Sequence, residues 1–173
     1  VRNECKELLF VVEREADGRE PLVRCINFGL DGMQSFSFTL EEERSAVLVP
    51  AGQVGTYLYE PNASVLKAGA FKQIAVRTGV KKLQVNSHLY TSDHLVSDFP
   101  GRRFRVDEVL SFTGKLCKGL SKTIPQANIT VRNFPLSVEE LRKRTKITDG
   151  GHVYLFATTL VDGEKVLVKC SKA

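Results

Sequence analysis

The chain has 173 residues, of which 42% are hydrophobic and 26% are charged. This composition is ordinary for a globular domain and excludes a disordered, fibrous or disulfide-dense protein. No apolar run approaches the roughly 20 residues of a membrane-spanning helix, and no signal-peptide pattern opens the chain. We therefore expect a cytoplasmic protein that makes no membrane contact.

The four cysteines are Cys5, Cys25, Cys117 and Cys170. They lie far apart and form no C-x-x-C pair, whereas zinc sites usually show close ligand pairs. We expect reduced and mostly buried thiols, and no metal site.

The net charge of +5 is unevenly distributed along the chain. Residues 1–60 contain 6 Lys and Arg against 11 Asp and Glu, while residues 61–173 contain 19 against 9. A cationic surface attracts polyanions, so the second part of the chain is the better candidate for a nucleic-acid partner.

Short β-strands are predicted for the first fifty residues. The apolar or alternating segments are Leu8–Val12, Pro21–Phe28, Ser35–Leu40 and Ala46–Val49. Asp17-Gly18 is typical of a hairpin turn between the first two strands. The acidic run Glu41–Glu43 predicts a solvated turn.

The strongest helix signal covers Ala63 to Thr78. Asn62 precedes it as a possible N-cap and Gly79 follows it as a typical C′ residue. Gly69 inside this helix would cost about 1 kcal/mol relative to Ala, which close packing on a sheet would explain. Lys81–Val85 then predicts a strand.

The second part alternates strands and helices. The predicted elements are an extended segment Phe104–Phe112, a helix Thr113–Thr123, a strand Ile129–Phe134, and a closing hairpin of Val153–Val161 and Lys165–Cys170. A further helix starts at Ser137, where Glu140 completes a capping box. Together these elements predict an α+β fold with mixed and antiparallel sheets covered on one side by helices.

Three basic clusters fall within 45 residues of this second part. They are Arg102, Arg103 and Arg105; Lys115, Lys118 and Lys122; and Arg142, Lys143, Arg144 and Lys146. Lys and Arg bind phosphate backbones without reading base sequence, so the clusters are candidate RNA contacts. The alternative for the last cluster is a solvated helix end whose cations match the helix dipole.

Two polar-aromatic runs, Tyr57–Asn62 and Ser87–Asp93, bracket the predicted helix of residues 63–78. Their candidate docking residues are Tyr57, Tyr59, Glu60, Asn62, His88, Tyr90, Thr91, Ser92 and Asp93. A catalytic triad of His88, Ser92 and Asp93 is not expected, because neighbours along a strand point to opposite faces. Two interpretations remain: Tyr90 packs on the helix while Ser92 or Asp93 caps a turn, or the runs face another domain or its substrate.

These two runs resemble segments of one bacterial family, as do Asn3–Leu9, Asn133–Arg142 and Tyr154–Thr159. The family is the class I S-adenosylmethionine-dependent methyltransferases that carry a C-terminal ferredoxin-like and THUMP-like region. The resemblance implies a strand-rich segment plus ferredoxin-like domain at residues 1–101 and a THUMP-like domain at 102–173. It also implies that the methyltransferase domain lies before Val1.

The cofactor-binding features of that family are missing from this chain. There is no glycine-rich acidic turn for the cofactor ribose, no G-x-G-x-x-G and no P-loop. We therefore expect no catalytic residue and no cofactor site in residues 1–173, and S-adenosylmethionine binding in the methyltransferase domain instead.

Two functional hypotheses follow from the resemblance and the charge pattern. The first is an RNA-binding accessory region, since THUMP-type domains present RNA, typically transfer RNA, to a neighbouring catalytic domain. The second is a docking module for the chain's own methyltransferase domain or a protein partner, without RNA binding. One continuous cationic face would favour the first, and scattered basic residues beside a neutral aromatic patch would favour the second.

Overall fold

The computed structural model describes residues 4–14, 18–29 and 32–173, which form two β-sheets and five helices. The strands are β1 Leu22–Gly29, β2 Gly32–Thr39, β3 Tyr57–Pro61, β4 Lys81–Lys82, β5 Tyr90–Ser92, β6 Gly101–Ser111, β7 Asn128–Arg132, β8 Tyr154–Thr159 and β9 Lys165–Lys172. The helices are α1 Leu40–Ser45, α2 Ala63–Ala68, α3 Gln73–Thr78, α4 Gly114–Thr123 and α5 Val138–Thr145. The α+β class predicted from the sequence is confirmed.

The larger sheet has seven strands in the order β4-β5-β3-β6-β9-β8-β7. Every neighbouring pair is antiparallel except β7 and β8, which are parallel and joined through α5. The strand β3 hydrogen-bonds to both β5 and β6, so one sheet runs without interruption from the N-terminal to the C-terminal part of the chain.

The smaller sheet is the antiparallel pair β1 and β2. Its inner face presents Cys25, Phe36 and Phe38, which are buried in one cluster with Ile74 of α3 and Tyr59 of β3. The opposite end of the large sheet is covered by α4 and α5, whose Leu120 and Leu141 pack against β8 and β9. Helices and the small sheet thus cover separate parts of the large sheet.

The predicted helix 63–78 is wrong as a single element, because it consists of α2 and α3. Gly69 ends α2 in the left-handed conformation with φ 79°, which explains why glycine stands there. Asn62 does precede the helix, but its amide donates to the Gln34 side chain at 2.8 Å instead of accepting from the first turn. Gly79 occupies the expected left-handed position after α3.

The predicted turn Glu41–Glu43 is also wrong, because these residues lie in α1. Thr39 and Glu42 form a capping box that starts this helix. Two further strand predictions fail: Ala46–Val49 is not a strand, and Lys81–Val85 is reduced to the two residues of β4.

Leu8–Val12 forms no strand and is largely exposed to solvent. The predicted hairpin turn at Asp17-Gly18 includes Asp17, which lies outside the described residues. The hairpin of β8 and β9 is confirmed, as is the capping box of Ser137 and Glu140 at the start of α5.

Candidate nucleic-acid interface

The two helical basic clusters meet on one side of the C-terminal end of the sheet. On α4, Lys115, Lys118 and Lys122 are spaced at i, i+3 and i+7, and all three are exposed. Lys118 and Arg144 of α5 line the same shallow cavity of about 290 Å³. The clusters that are separate in sequence are therefore joined across the contact between α4 and α5.

The exposed cations of these helices form what we call the α4–α5 cation surface. Its members are Lys115, Lys118, Lys122, Lys143, Arg144 and Lys146. Within the part of the chain that the structure describes, none of the six forms an ion pair. Their charge is therefore available to an external anion.

Arg142 belongs to the same sequence cluster but has a structural role. Its guanidinium donates to the carbonyl oxygens of Ala127 at 3.2 Å and Ile147 at 3.3 Å, and it pairs with Asp149. Only 22% of its side chain is exposed. Arg142 thus fastens the end of α5 to neighbouring segments and contributes little charge to the surface.

The third basic cluster is divided between the two faces of β6, because successive strand residues point in opposite directions. Arg105 is exposed and lies opposite Ser171 of β9. Since Ser171 shares its face with Leu167, which packs under the helices, Arg105 lies on the helix-bearing face. Arg103 lies on that face too, and it donates to the carbonyl oxygen of Ser97.

Arg102 points to the opposite face of the sheet and is engaged in a buried ion pair. Its Nε donates to Oε2 of Glu60 at 2.8 Å, and Arg132 of β7 donates to Oε1 at 2.8 Å. Glu60 has no exposed surface, while 40% of the Arg102 side chain and 36% of the Arg132 side chain are exposed. No local sequence pattern indicates this arrangement, since its members lie 30 and 42 residues apart.

The candidate docking residues of Tyr57–Asn62 and Ser87–Asp93 are mostly internal. The Tyr59 hydroxyl donates to the His94 carbonyl at 2.9 Å and accepts from the Val96 amide at 3.0 Å. The Tyr90 hydroxyl donates to the Phe71 carbonyl at 2.7 Å, so the structural interpretation of Tyr90 holds. These rings have no accessible surface to offer a partner.

The remaining polar members of the two runs are also held by the fold. Thr91 donates to the Tyr57 carbonyl at 2.7 Å and accepts from the Gly55 amide at 2.8 Å. Within the described residues, Ser92 bonds to Tyr59 and to the His94 carbonyl, and not to His88. No nucleophile–base pair forms here, and Asp93 remains exposed at the end of β5.

His88 stacks on Phe71 with ring centroids 4.0 Å apart and has a left-handed backbone with φ 51°. Lys82 donates to Nδ1 of His88 at 3.2 Å and to the Val85 carbonyl at 2.7 Å. Burial lowers the pKa of His88 to about 4, with further lowering by the charges of Lys82 and Arg132. Burial also lowers the pKa of Lys82 to about 8. The imidazole is therefore neutral at physiological pH and accepts from the lysine.

No metal centre or membrane helix is found in the described ranges. Among residues 4–14, 18–29 and 32–173, no three side chains of His, Cys, Asp or Glu come together as ligands. In the same ranges, no helix is both long and apolar enough to cross a bilayer.

Comparison with known proteins divides the large sheet between two domain types. Residues 57–100 match the family model of a ferredoxin-like domain, and residues 101–172 match that of a THUMP domain-like family. The chain therefore contains a ferredoxin-like domain followed by a THUMP-like domain. No curated protein matches the chain.

One similar solved structure is the crystal structure of a putative methyltransferase from Porphyromonas gingivalis W83. It is 49% identical in sequence and superimposes with a TM-score of 0.83 over 87% of this chain. The match spans 37% of the Porphyromonas protein, so this chain corresponds to little more than a third of that protein.

Proposed function

We propose that this chain is the non-catalytic RNA-binding accessory region of an S-adenosylmethionine-dependent methyltransferase, and that its ligand is a structured RNA of the transfer RNA class. The catalytic domain and its cofactor belong to another part of the longer protein. Support comes from the THUMP-like match and from the similarity to the Porphyromonas protein.

The α4–α5 cation surface is the observation that carries this proposal. Six exposed cations on α4, on α5 and at the residue after α5 form no ion pair among the described residues. Such a surface suits the phosphates of an RNA backbone, which are contacted by Lys and Arg without sequence reading. Arg105 extends the cationic surface onto the same face of the sheet.

The docking alternative loses support at the two polar-aromatic runs for which the sequence predicted it. Tyr59, Glu60 and Tyr90 are completely buried within the protein, so a partner cannot contact them without unfolding this region. Of the candidate docking residues, Asp93 is exposed, and Tyr57, His88 and Ser92 are half-buried.

The test is a salt titration of transfer RNA binding for the wild type and the Lys118→Ala/Lys143→Ala/Arg144→Ala variant. Each phosphate contact contributes about 0.7 to 0.9 to the slope of log affinity against log salt. Loss of three contacts should flatten the slope by about 2 to 3 and weaken binding to many RNAs alike. Arg142 is left intact because its removal would disturb the fold.

A matched control removes three exposed lysines elsewhere, in the variant Lys67→Ala/Lys81→Ala/Lys172→Ala. This variant has the same net charge as the first, so it separates a local surface from a general attraction of RNA to a basic protein. Equal slopes for the two variants and the wild type would remove RNA binding from the α4–α5 cation surface.

A further inference from the structure

Large apolar side chains are exposed mainly before residue 50, outside both matched domains. Five of them are the consecutive residues Leu8, Leu9, Phe10, Val11 and Val12, which are 67–90% exposed. Most soluble monomers expose no such continuous apolar run, and those that do use it as an interface. An interface is therefore to be sought at the N-terminal end of the chain.

The composition of residues 8–12 is that of a strand with both faces buried. Strands alternate their side chains, so Leu9 and Val11 would lie on one face, and Leu8, Phe10 and Val12 on the other. Both sets are apolar, as in the central strands of sheets that are covered on both sides. In the described structure this segment has no strand partner, although its residue types favour strands.

The small sheet shows a second uncovered apolar surface. Its inner face is packed, but Ile26, Phe28 and Met33 project from the outer face and are 47–63% exposed. Phe28 and Met33 lie directly opposite each other on β1 and β2. Isolated two-stranded sheets are marginally stable, so a covering body on this face would stabilise the hairpin.

The Porphyromonas protein indicates what this body is. The match covers 87% of this chain, which is more than residues 57–173 can supply, so it includes part of the N-terminal segment. The same match leaves 63% of the Porphyromonas chain outside it, because only 37% is covered. At least part of residues 1–56 is thus shared with a polypeptide that has a large additional body.

We propose that residues 8–12 form an interior strand of a β-sheet in the remainder of such a longer polypeptide, and that the outer face of β1 and β2 rests against the same body. The segment then buries both of its apolar faces, and its backbone groups gain partners on two sides. This inference rests on the part of the proposed function that sets the chain beside a catalytic domain, and it is independent of RNA binding.

Hydrogen exchange on two intact proteins tests the proposal. In the 173-residue chain, the amides of residues 8–12 should exchange at nearly unprotected rates. In the longer polypeptide of the proposed function, the same amides should exchange at least a hundredfold more slowly, as in a paired strand. Unprotected exchange in both proteins would overturn the proposal, whatever the result of the RNA titration.

Substitutions distinguish an interior strand from a segment that docks by one face. In the 173-residue chain, Phe10→Asp and Val11→Asp should leave the denaturation midpoint unchanged, since both side chains are more than 80% exposed. In the longer polypeptide of the proposed function, each should lower the midpoint. An effect at one position alone would overturn the interior strand.

A second copy of the chain is the competing occupant, and sedimentation of the 173-residue chain tests it. A monomer that remains monomeric with increasing concentration agrees with the proposal. Dimerisation that is abolished by Phe10→Asp but not by Val161→Asp, which alters a 55% exposed valine elsewhere, would overturn it.

Discussion

Glu60 is a carboxylate without any accessible surface, and two guanidiniums neutralise it. Arg102 approaches from the neighbouring strand β6, whereas Arg132 approaches from β7 at the far edge of the sheet. A buried ion is tolerated only when it is paired and hydrogen-bonded, and here both carboxylate oxygens have a partner. This one residue therefore ties the ferredoxin-like domain to the THUMP-like domain.

Removing the carboxylate and removing the two guanidiniums should lower the free energy of unfolding by different amounts. Glu60→Gln leaves two guanidiniums that water can reach, and we expect a loss of about 2 kcal/mol. Arg102→Met/Arg132→Met leaves a carboxylate that water cannot reach, and we expect about 4 kcal/mol. Urea denaturation of the two variants measures the difference. Equal losses would show that the burial of Glu60 does not decide the cost.

The sequence identified the right residue type at Arg102 and Arg142 but not their roles. Both belong to basic runs, and such a run predicts local positive charge but not the partners of its side chains. Their partners, Glu60 and the Ala127 carbonyl, lie 42 and 15 residues away and are brought close only by sheet pairing and helix packing. Lys118 and Arg144, in contrast, were identified because exposed cations at helical spacing are a local signal.

At the scale of secondary-structure elements, α5 begins with the capping box that its sequence predicts. The Ser137 hydroxyl accepts from the Glu140 amide at 3.2 Å, and the Glu140 carboxylate accepts from the Ser137 amide at 2.8 Å. The amide of Ser137 is the largest cause of the lowered pKa of Glu140. Leu136 and Leu141 pack in the same cluster, as a hydrophobic staple requires.

Ser137→Ala should therefore lower the free energy of unfolding by about 1 kcal/mol, because the Glu140 amide loses its acceptor. Urea denaturation gives this value from the change in midpoint. Ser97→Ala is a suitable control, since the Ser97 hydroxyl is hydrogen-bonded to nothing in the described part of the chain. A midpoint that changes equally in both variants would show that the cap adds no stability of its own.

The correctly predicted elements have local causes, although one local signal, the capping box of Thr39 and Glu42 that starts α1, was missed. The Ser137 box and the short turn between β8 and β9 are specified within a few residues. The periodicity of apolar residues predicted one helix that continues past Gly69, although the αL conformation of Gly69 ends α2. Leu8–Val12 has the residue types of a strand but no partner in this chain, and a pattern cannot show whether a partner exists.

For the whole molecule, we expect the 173-residue chain not to bind S-adenosylmethionine. The glycine-rich acidic turn that would hold the cofactor ribose is absent from its sequence. Calorimetric titration with the cofactor should give no saturable heat, whereas the longer methyltransferase of the proposed function should bind it. Micromolar saturation by the isolated chain would reveal a cofactor site within the ferredoxin-like or THUMP-like domain.

The unbroken seven-stranded sheet fixes the separation between the small sheet and the α4–α5 cation surface. The small sheet packs over β3 and β5, and the α4–α5 cation surface lies over β8 and β9. Four inter-strand steps separate β5 from β8, and the sheet curls along its width, since Arg132 of the edge strand β7 reaches Glu60 of β3. A flexible linker would let a bound RNA present many nucleotides to a catalytic centre. A hydrogen-bonded sheet holds one separation. Under the proposed function, the distance from the bound RNA to the reacting atom would therefore select the nucleotide.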